Sequence, residues 1–147
     1  MALIAKVKGQ RVCLDTAPFI YLIEEHRKYL PLVEPLFRII SAGESEAVTS
    51  TVTLIEVLVR PLRQGEIQIA QSYKEILLHS RGLTVHPLSS PIAEKAAELR
   101  AKYVIRTPDA IQLATGILAG AKSFVTNDAR LKRITEINVL VLDEYLA

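Results

Sequence analysis

Cysteine is almost absent from this chain. Cys13 stands alone among 147 residues, which excludes an internal disulfide and a zinc site built on thiolates. Its place in the apolar run Val12-Cys13-Leu14 reads as a small buried hydrophobe rather than a reactive thiol. Long apolar stretches are missing as well. Lys6 and Lys8 interrupt the opening Met1-Ala2-Leu3-Ile4-Ala5, and no uninterrupted run approaches the roughly 20 residues of a membrane span. A soluble protein of the cytoplasm, with no membrane partner, is expected. Neither sign of charge prevails: 18 basic and 16 acidic residues give a net +2. The chain therefore lacks the overall footprint of a non-specific nucleic-acid binder, and any basic surface must be local. Internal repeats, low-complexity segments and linkers are also lacking. His26, His79 and His86 show neither zinc-ligand spacing nor a paired acid, which leaves them no catalytic role.

What the chain does have is apolar bulk, 50% of its residues, in a length that makes one domain spanning 1–147. Such a domain buries roughly 70% of its unfolded surface without staples. The apolar excess predicts that part of the surface is covered by another chain. Short apolar runs at Val12-Cys13-Leu14, Val48-Thr49-Ser50, Leu83 to His86, Ser123 to Thr126 and Val139 to Leu142 read as strands. Between them lie helical patterns. Pro18 is expected to open one helix and Pro31 another that Gly43 stops. A third runs from Thr51 to Val59 and should end near Pro61. Further helices are expected from Gly65 to about Ser80, after Ser89-Ser90-Pro91 and after Thr107-Pro108, with a short one after Asp128. Strands alternating with helices predict an α/β fold with a mainly parallel sheet covered on both faces.

Four acids stand out against this frame: Asp15 and Asp128 just past two different strands, Glu56 early in a helix, and Asp109 in a helix first turn. In an open α/β sheet, side chains beyond the carboxyl ends of the strands converge on the ligand crevice. Each acid alone has a structural explanation. Thr53-Leu54-Ile55-Glu56 matches a capping box, and the three aspartates suit helix starts or turns. Jointly the balance shifts, because Glu56 lies between Ile55 and Val57 and Asp15 follows a core strand, where unpaired charge is expensive. Two carboxylates about 4 Å apart repel by about 4 kcal/mol at an effective dielectric of 20. A cluster of such acids would raise its own pKa values or recruit a cation, and hard oxygen donors suit Mg²⁺ or Mn²⁺. Cations for phosphate contacts are sought nearby, in Lys102, Arg106, Arg130, Lys132 and Arg133, with Arg106 the best placed in sequence.

With these residues in view, the chain resembles a PIN domain, and more narrowly the VapC-type toxin ribonucleases of toxin-antitoxin pairs. The resemblance runs almost end to end. It is carried by Cys13-Leu14-Asp15-Thr16 with Phe19 to Glu24, by Thr49-Ser50 to Glu56-Val57-Leu58, by Thr107-Pro108-Asp109-Ala110-Ile111-Gln112-Leu113-Ala114, and by Phe124-Val125-Thr126-Asn127-Asp128. It implies a three-layer α/β/α sandwich. It also implies that Asp15, Glu56, Asp109 and Asp128 hold one or two Mg²⁺ or Mn²⁺ ions for hydrolysis of RNA phosphodiester bonds, the first three as the main shell. Thr126 resembles the family's hydroxyl near the acids, and Thr16 its polar neighbour after the first Asp. Many members carry a polar residue two places after that Asp, where this chain has Ala17-Pro18. The departure spares all four acids.

The resemblance further implies an RNA substrate, a cognate antitoxin covering the acidic groove, and a homodimer that uses some of the apolar excess. Other readings are weaker. A phospho-acceptor receiver domain would need an acidic pair and a late lysine around Asp15, and a haloacid-dehalogenase-like phosphatase would need Asp at position 17, which is Ala. A housekeeping RNA-processing nuclease or a structure-specific DNA nuclease shares every residue named above, and fold alone also admits a catalytically idle binding module. A small stand-alone domain favours the toxin.

Overall fold

The computed structural model describes residues 2–147. Five strands, β1 (Arg11–Leu14), β2 (Glu46–Ser50), β3 (Leu83–His86), β4 (Ser123–Thr126) and β5 (Asn138–Val141), form one sheet in the order β3-β2-β1-β4-β5. Every neighbouring pair is parallel. Seven α-helices accompany them: α1 (Ala2–Val7), α2 (Thr16–Ile23), α3 (Leu30–Ser41), α4 (Thr51–Gln64), α5 (Ile67–His79), α6 (Ser90–Lys102) and α7 (Thr107–Leu118). Two 3-10 turns, Ala129–Arg133 and Leu142–Tyr145, complete the chain. None of the described helices is long and apolar enough to cross a membrane.

The pleat of the sheet divides the core. Val12 and Leu14 of β1, Val125 of β4 and Leu140 of β5 face a cluster with Phe19, Leu36, Val57 and Tyr73 from α2 to α5. Cys13, Phe124, Val139 and Val141, one residue out of phase, face Leu99 of α6 and Ala110, Leu113 and Ala114 of α7. Successive strand side chains point to opposite faces, so a strand that reads apolar throughout must be covered on both sides. This is the expected α/β/α sandwich. The close seat of α7 on β1 depends on Gly116, where a Cβ would stand 2.7 Å from Cys13 Cβ.

Three local expectations are corrected. The second helix begins at Thr16 rather than Pro18, because Asp15 caps it. The fourth runs through Pro61 to Gln64. Proline disturbs the turn before it, and here only one turn follows, closed by Gly65 in the left-handed region at φ 69 with Glu66 N–H donating to the Pro61 carbonyl. The N-terminal segment, read only as an interrupted apolar run, forms α1 from Ala2 and buries Leu3 and Val7. Met1 lies outside the described residues.

Candidate functional site

β1 and β4 are adjacent at the centre of the sheet, and their carboxyl ends lie side by side: Leu14 pairs with Val125, and Asp15 N–H donates to the Val125 carbonyl. The next residues along, Asp15 and Thr126, therefore meet. Thr126 Oγ1 donates to Asp15 Oδ2 at 2.7 Å and accepts the Asp128 N–H at 3.1 Å, which ties the two strand-end acids through one hydroxyl. Around them opens a cleft of about 380 Å³ lined by Asp15, Thr16, Glu56, Arg106, Asp109, Thr126 and Asp128, with Ala17, Ile20, Tyr21 and Asn127. All four acids named from the sequence share it, as do Thr16, Thr126 and Arg106.

Burial pushes the Asp15 carboxyl up to about 6. The Thr126 hydroxyl and Thr16 N–H pull it down, while the charges of Asp109 and Glu56 push it further up. Asp128 goes the other way. Arg130 donates to it through Nε at 3.0 Å and Nη2 at 2.9 Å, and this fork holds the carboxyl below the usual range. Asp109, buried in the first turn of α7, receives Arg106 through Nε at 3.2 Å and Nη2 at 3.4 Å. Both arginines are raised by these partners.

Glu56 departs from expectation. It is exposed, and its neighbour Ile55 is 64% exposed, because the inward face of α4 is carried by Thr53, Val57 and Pro61. The scarcity of water invoked for it does not apply. The capping box is also absent: Ser50 caps α4, and Glu56 Oε1 instead accepts the Thr16 hydroxyl at 2.5 Å. The structural explanation for Glu56 is thereby removed while its position at the cleft rim is kept.

A buried polar network behind this contact escaped sequence reasoning. Gln112, 1% exposed, donates through Nε2 to Thr53 Oγ1 at 2.6 Å and Thr16 Oγ1 at 3.3 Å, and its Oε1 accepts the Ser50 hydroxyl at 2.9 Å. Thr49 and Thr53 hydroxyls pair at 2.8 Å, and Thr49 Oγ1 donates to the Leu14 carbonyl at 2.8 Å. Gln112 thus links the ends of β1 and β2 with α4 and α7. One signal could have found it: a lone amide in the otherwise apolar stretch Ala110 to Ala114, three residues after Asp109. Asn127 was missed as well. It donates to the Tyr21 hydroxyl at 2.9 Å and accepts the Asp143 N–H at 3.0 Å, fixing the β4 loop.

Of the other cations singled out, Lys102 is engaged by Glu136 and Lys132 by Glu144, and neither lines the cleft. Sequence proximity misplaced them because each is drawn to an acid outside the cleft. Arg130 and Arg133 line a groove of about 360 Å³ that adjoins the cleft and shares Arg106, Asp109 and Asp128 with it. None of the three histidines lines the cleft. The Cys13 thiol is fully buried and its ionisation strongly suppressed by that burial.

As a donor set the cleft fits a hard divalent cation: it offers carboxylate and hydroxyl oxygens, the charge of its central acid is disfavoured by burial and further by the neighbouring acids, and there is room for an ion and its waters. As the side chains stand, no three His, Cys, Asp or Glu among the described residues are gathered tightly enough to hold one. Two of the four acids are turned toward arginines instead.

A PIN domain sequence profile matches residues 12–137. The chain belongs to the PIN domain family. Among curated protein sequences none matches. Solved structures with the same PIN fold include the VapBC2 complex of Rickettsia felis bound to a promoter DNA fragment, at 22% identity and TM-score 0.68, covering 89% of this chain and 98% of that one. A toxin-antitoxin complex from Klebsiella pneumoniae aligns at 23% identity and TM-score 0.69, over 89% of this PIN domain and 97% of that chain. A sarcin-ricin loop cleaving VapC toxin of Mycobacterium tuberculosis aligns at 17% identity and TM-score 0.65, over 86% and 98%.

Proposed function

We propose that this PIN domain is a metal-dependent endoribonuclease of VapC type, the toxin of a toxin-antitoxin pair acting in the cytoplasm. The observation that carries the reading is the convergence of Asp15, Glu56, Asp109 and Asp128, drawn from four separate segments, on one open cleft at the central strand ends of a PIN fold. The likeness to toxin-antitoxin complexes and to an RNA-cleaving toxin supports it.

One or two Mg²⁺ or Mn²⁺ ions held by Asp15, Glu56 and Asp109, with Asp128 completing the shell, would supply a nucleophile from water and stabilise charge on the phosphodiester. The chain's own residues then have defined tasks. Thr126 orients Asp15 and the Asp128 backbone together, and Thr16 orients Glu56. Arg106 and Arg130 bind the substrate's phosphates. No protein nucleophile is required, and Cys13 is sealed away from the cleft. Ala17 places a methyl group where many family members are polar, so that part of the cleft wall contributes shape rather than a hydrogen bond.

A protein partner has surface available. Ile55, Val59 and Leu62 repeat along the outer face of α4 and are 64%, 43% and 60% exposed, with Ile67 after them at 79%. This stripe starts beside Glu56, so an antitoxin segment seated on it would also reach the cleft, and a homodimer would use part of the same apolar excess. Purified protein should cleave single-stranded RNA with Mg²⁺ or Mn²⁺ and lose that activity with EDTA or Asp15→Asn. Cleavage of flapped DNA with RNA left intact would reassign the protein to DNA metabolism. An open reading frame for a small DNA-binding protein immediately upstream would support the toxin role.

A further inference from the structure

Asp109 and Asp128 are both anchored, one in the first turn of buried α7 and the other as the cap of the 3-10 turn after β4. Their arginine partners are not. The Arg106 side chain is 66% exposed and the Arg130 side chain 78%, against 12% and 25% for the two carboxylates. An ion pair with one partner so free in water is open to exchange, the short Arg130 fork being the stronger of the two. The Arg106 fork is also long, at 3.2 and 3.4 Å. Both arginines border the groove beside the acids, so a rotation about side-chain bonds is enough to carry either guanidinium from carboxylate to a bound phosphate.

Neighbouring arginines behave differently. Arg100 is pinned to the Ile105 carbonyl at 3.0 Å and the Thr107 hydroxyl at 2.9 Å, and Arg133 donates to the Val104 carbonyl. Neither touches a carboxylate. The pairing of Asp109 and Asp128 with guanidinium groups also accounts for the lack of a ready three-acid nest among the described residues.

We infer that Arg106 and Arg130 are exchangeable counter-ions: each neutralises one cleft carboxylate until a divalent ion takes that carboxylate, and the released guanidinium then binds the RNA backbone. Metal and substrate binding are thereby coupled, each favouring the other, as linkage requires. The inference rests on the reading of the cleft as a metal-dependent ribonuclease site and adds to it what sets metal affinity.

The test is a Mn²⁺ titration of the full-length protein followed by electron paramagnetic resonance of the free ion, with no nucleic acid present. Arg106→Gln and Arg130→Gln should each tighten Mn²⁺ binding roughly two- to fivefold, the range expected for loss of an exposed ion-pair competitor. Arg133→Gln, which removes the same charge from the groove without freeing a carboxylate, should leave it nearly unchanged. Adding a short phosphorothioate single-stranded RNA should tighten Mn²⁺ binding by wild type, and the gain should shrink in the Arg106→Gln/Arg130→Gln double variant. Unchanged or weaker Mn²⁺ binding in the Arg106 and Arg130 variants, an equal gain in Arg133→Gln, or an undiminished RNA effect in the double variant overturns the inference and leaves the metal site standing. Failure of the wild type to bind Mn²⁺ at all brings down both. Since the replaced side chains are exposed, the thermal midpoints of the variants serve as the check on folding.

Discussion

The two halves of the acidic cleft are held by different chemistry. Asp15 and Glu56 are fixed by neutral donors, Thr126 and Thr16, that are themselves locked into the strand ends and, through Gln112, into α4 and α7. Asp109 and Asp128 are instead paired with exposed guanidinium groups at the solvent face. Neutral donors orient a carboxylate and leave its charge unbalanced, whereas an arginine balances the charge and competes for the oxygens. The pair held by hydroxyls is consequently poised to demand a cation, and the pair held by arginines to yield to one.

That contrast is broken most completely at Asp15. Asp15→Asn should lower metal-dependent RNA cleavage by at least about 100-fold, since losses of about 10–100-fold already follow removal of groups that only orient a ligand. Initial rates across a Mn²⁺ titration check this, and a rate within threefold of wild type would place the essential charge elsewhere. Next comes Gln112→Leu. It strips partners from Ser50, Thr53 and Thr16 in a buried region, at a cost of about 1–3 kcal/mol in urea unfolding. It should also weaken Mn²⁺ binding, because Thr16 loses the donor behind its contact with Glu56.

The pH response sharpens the same comparison. The Asp15 carboxyl is raised in the folded protein from 3.8 to about 6. Its protonated form is the one folding favours, so its contribution to metal-free stability is full below about pH 4 and is lost as pH rises through about 6. Asp15→Asn should therefore gain stability over wild type progressively between pH 4 and 7 without metal, by about 3 kcal/mol at the upper end, and saturating Mn²⁺ should erase or reverse the gap. A difference that stays flat across that range would mean that Asp15 is solvated more freely than its surroundings indicate. The smallest effect is expected in the arginine-held pair: Asp128→Asn should reduce cleavage several-fold at limiting Mn²⁺ and less at saturating Mn²⁺, as for an acid that completes a shell rather than founding it.

Most of the frame was legible because a two-sided parallel sheet writes itself as short apolar runs. Val12 to Leu14 could be placed as a central strand and Ser123 to Thr126 as a further strand, and with them the positions of Asp15 and Thr126. Asp109 followed from its helix start. Glu56 was located for a reason that does not hold: apolar neighbours along the chain are not neighbours around a helix, and the residue beside a buried Val57 lies about 100° away from it. Pro61 was given too much weight because proline's penalty falls on the preceding turn. The network that Gln112 makes with Ser50, Thr53 and Thr16 was invisible because single polar residues in apolar helices carry no spacing pattern, and their meaning exists only once several elements meet. The cations showed the same limit. Arg106 and Arg130 are bound to acids in their own turns, whereas Lys102 and Lys132, close to the acids in sequence, are drawn off by Glu136 and Glu144.

The sealed position of Cys13 turns the molecule into a convenient instrument. Its sulfur is fully buried under α7, within 3.6 Å of the Gln112 carbonyl, which closes it to a maleimide or methanethiosulfonate reagent. A cysteine engineered on the exposed α4 stripe, for example Leu62→Cys, would then be the one thiol that such reagents modify. A spin label there, read against paramagnetic Mn²⁺ in the cleft, would report ion occupancy and partner docking in a single spectrum, with the native sequence otherwise intact.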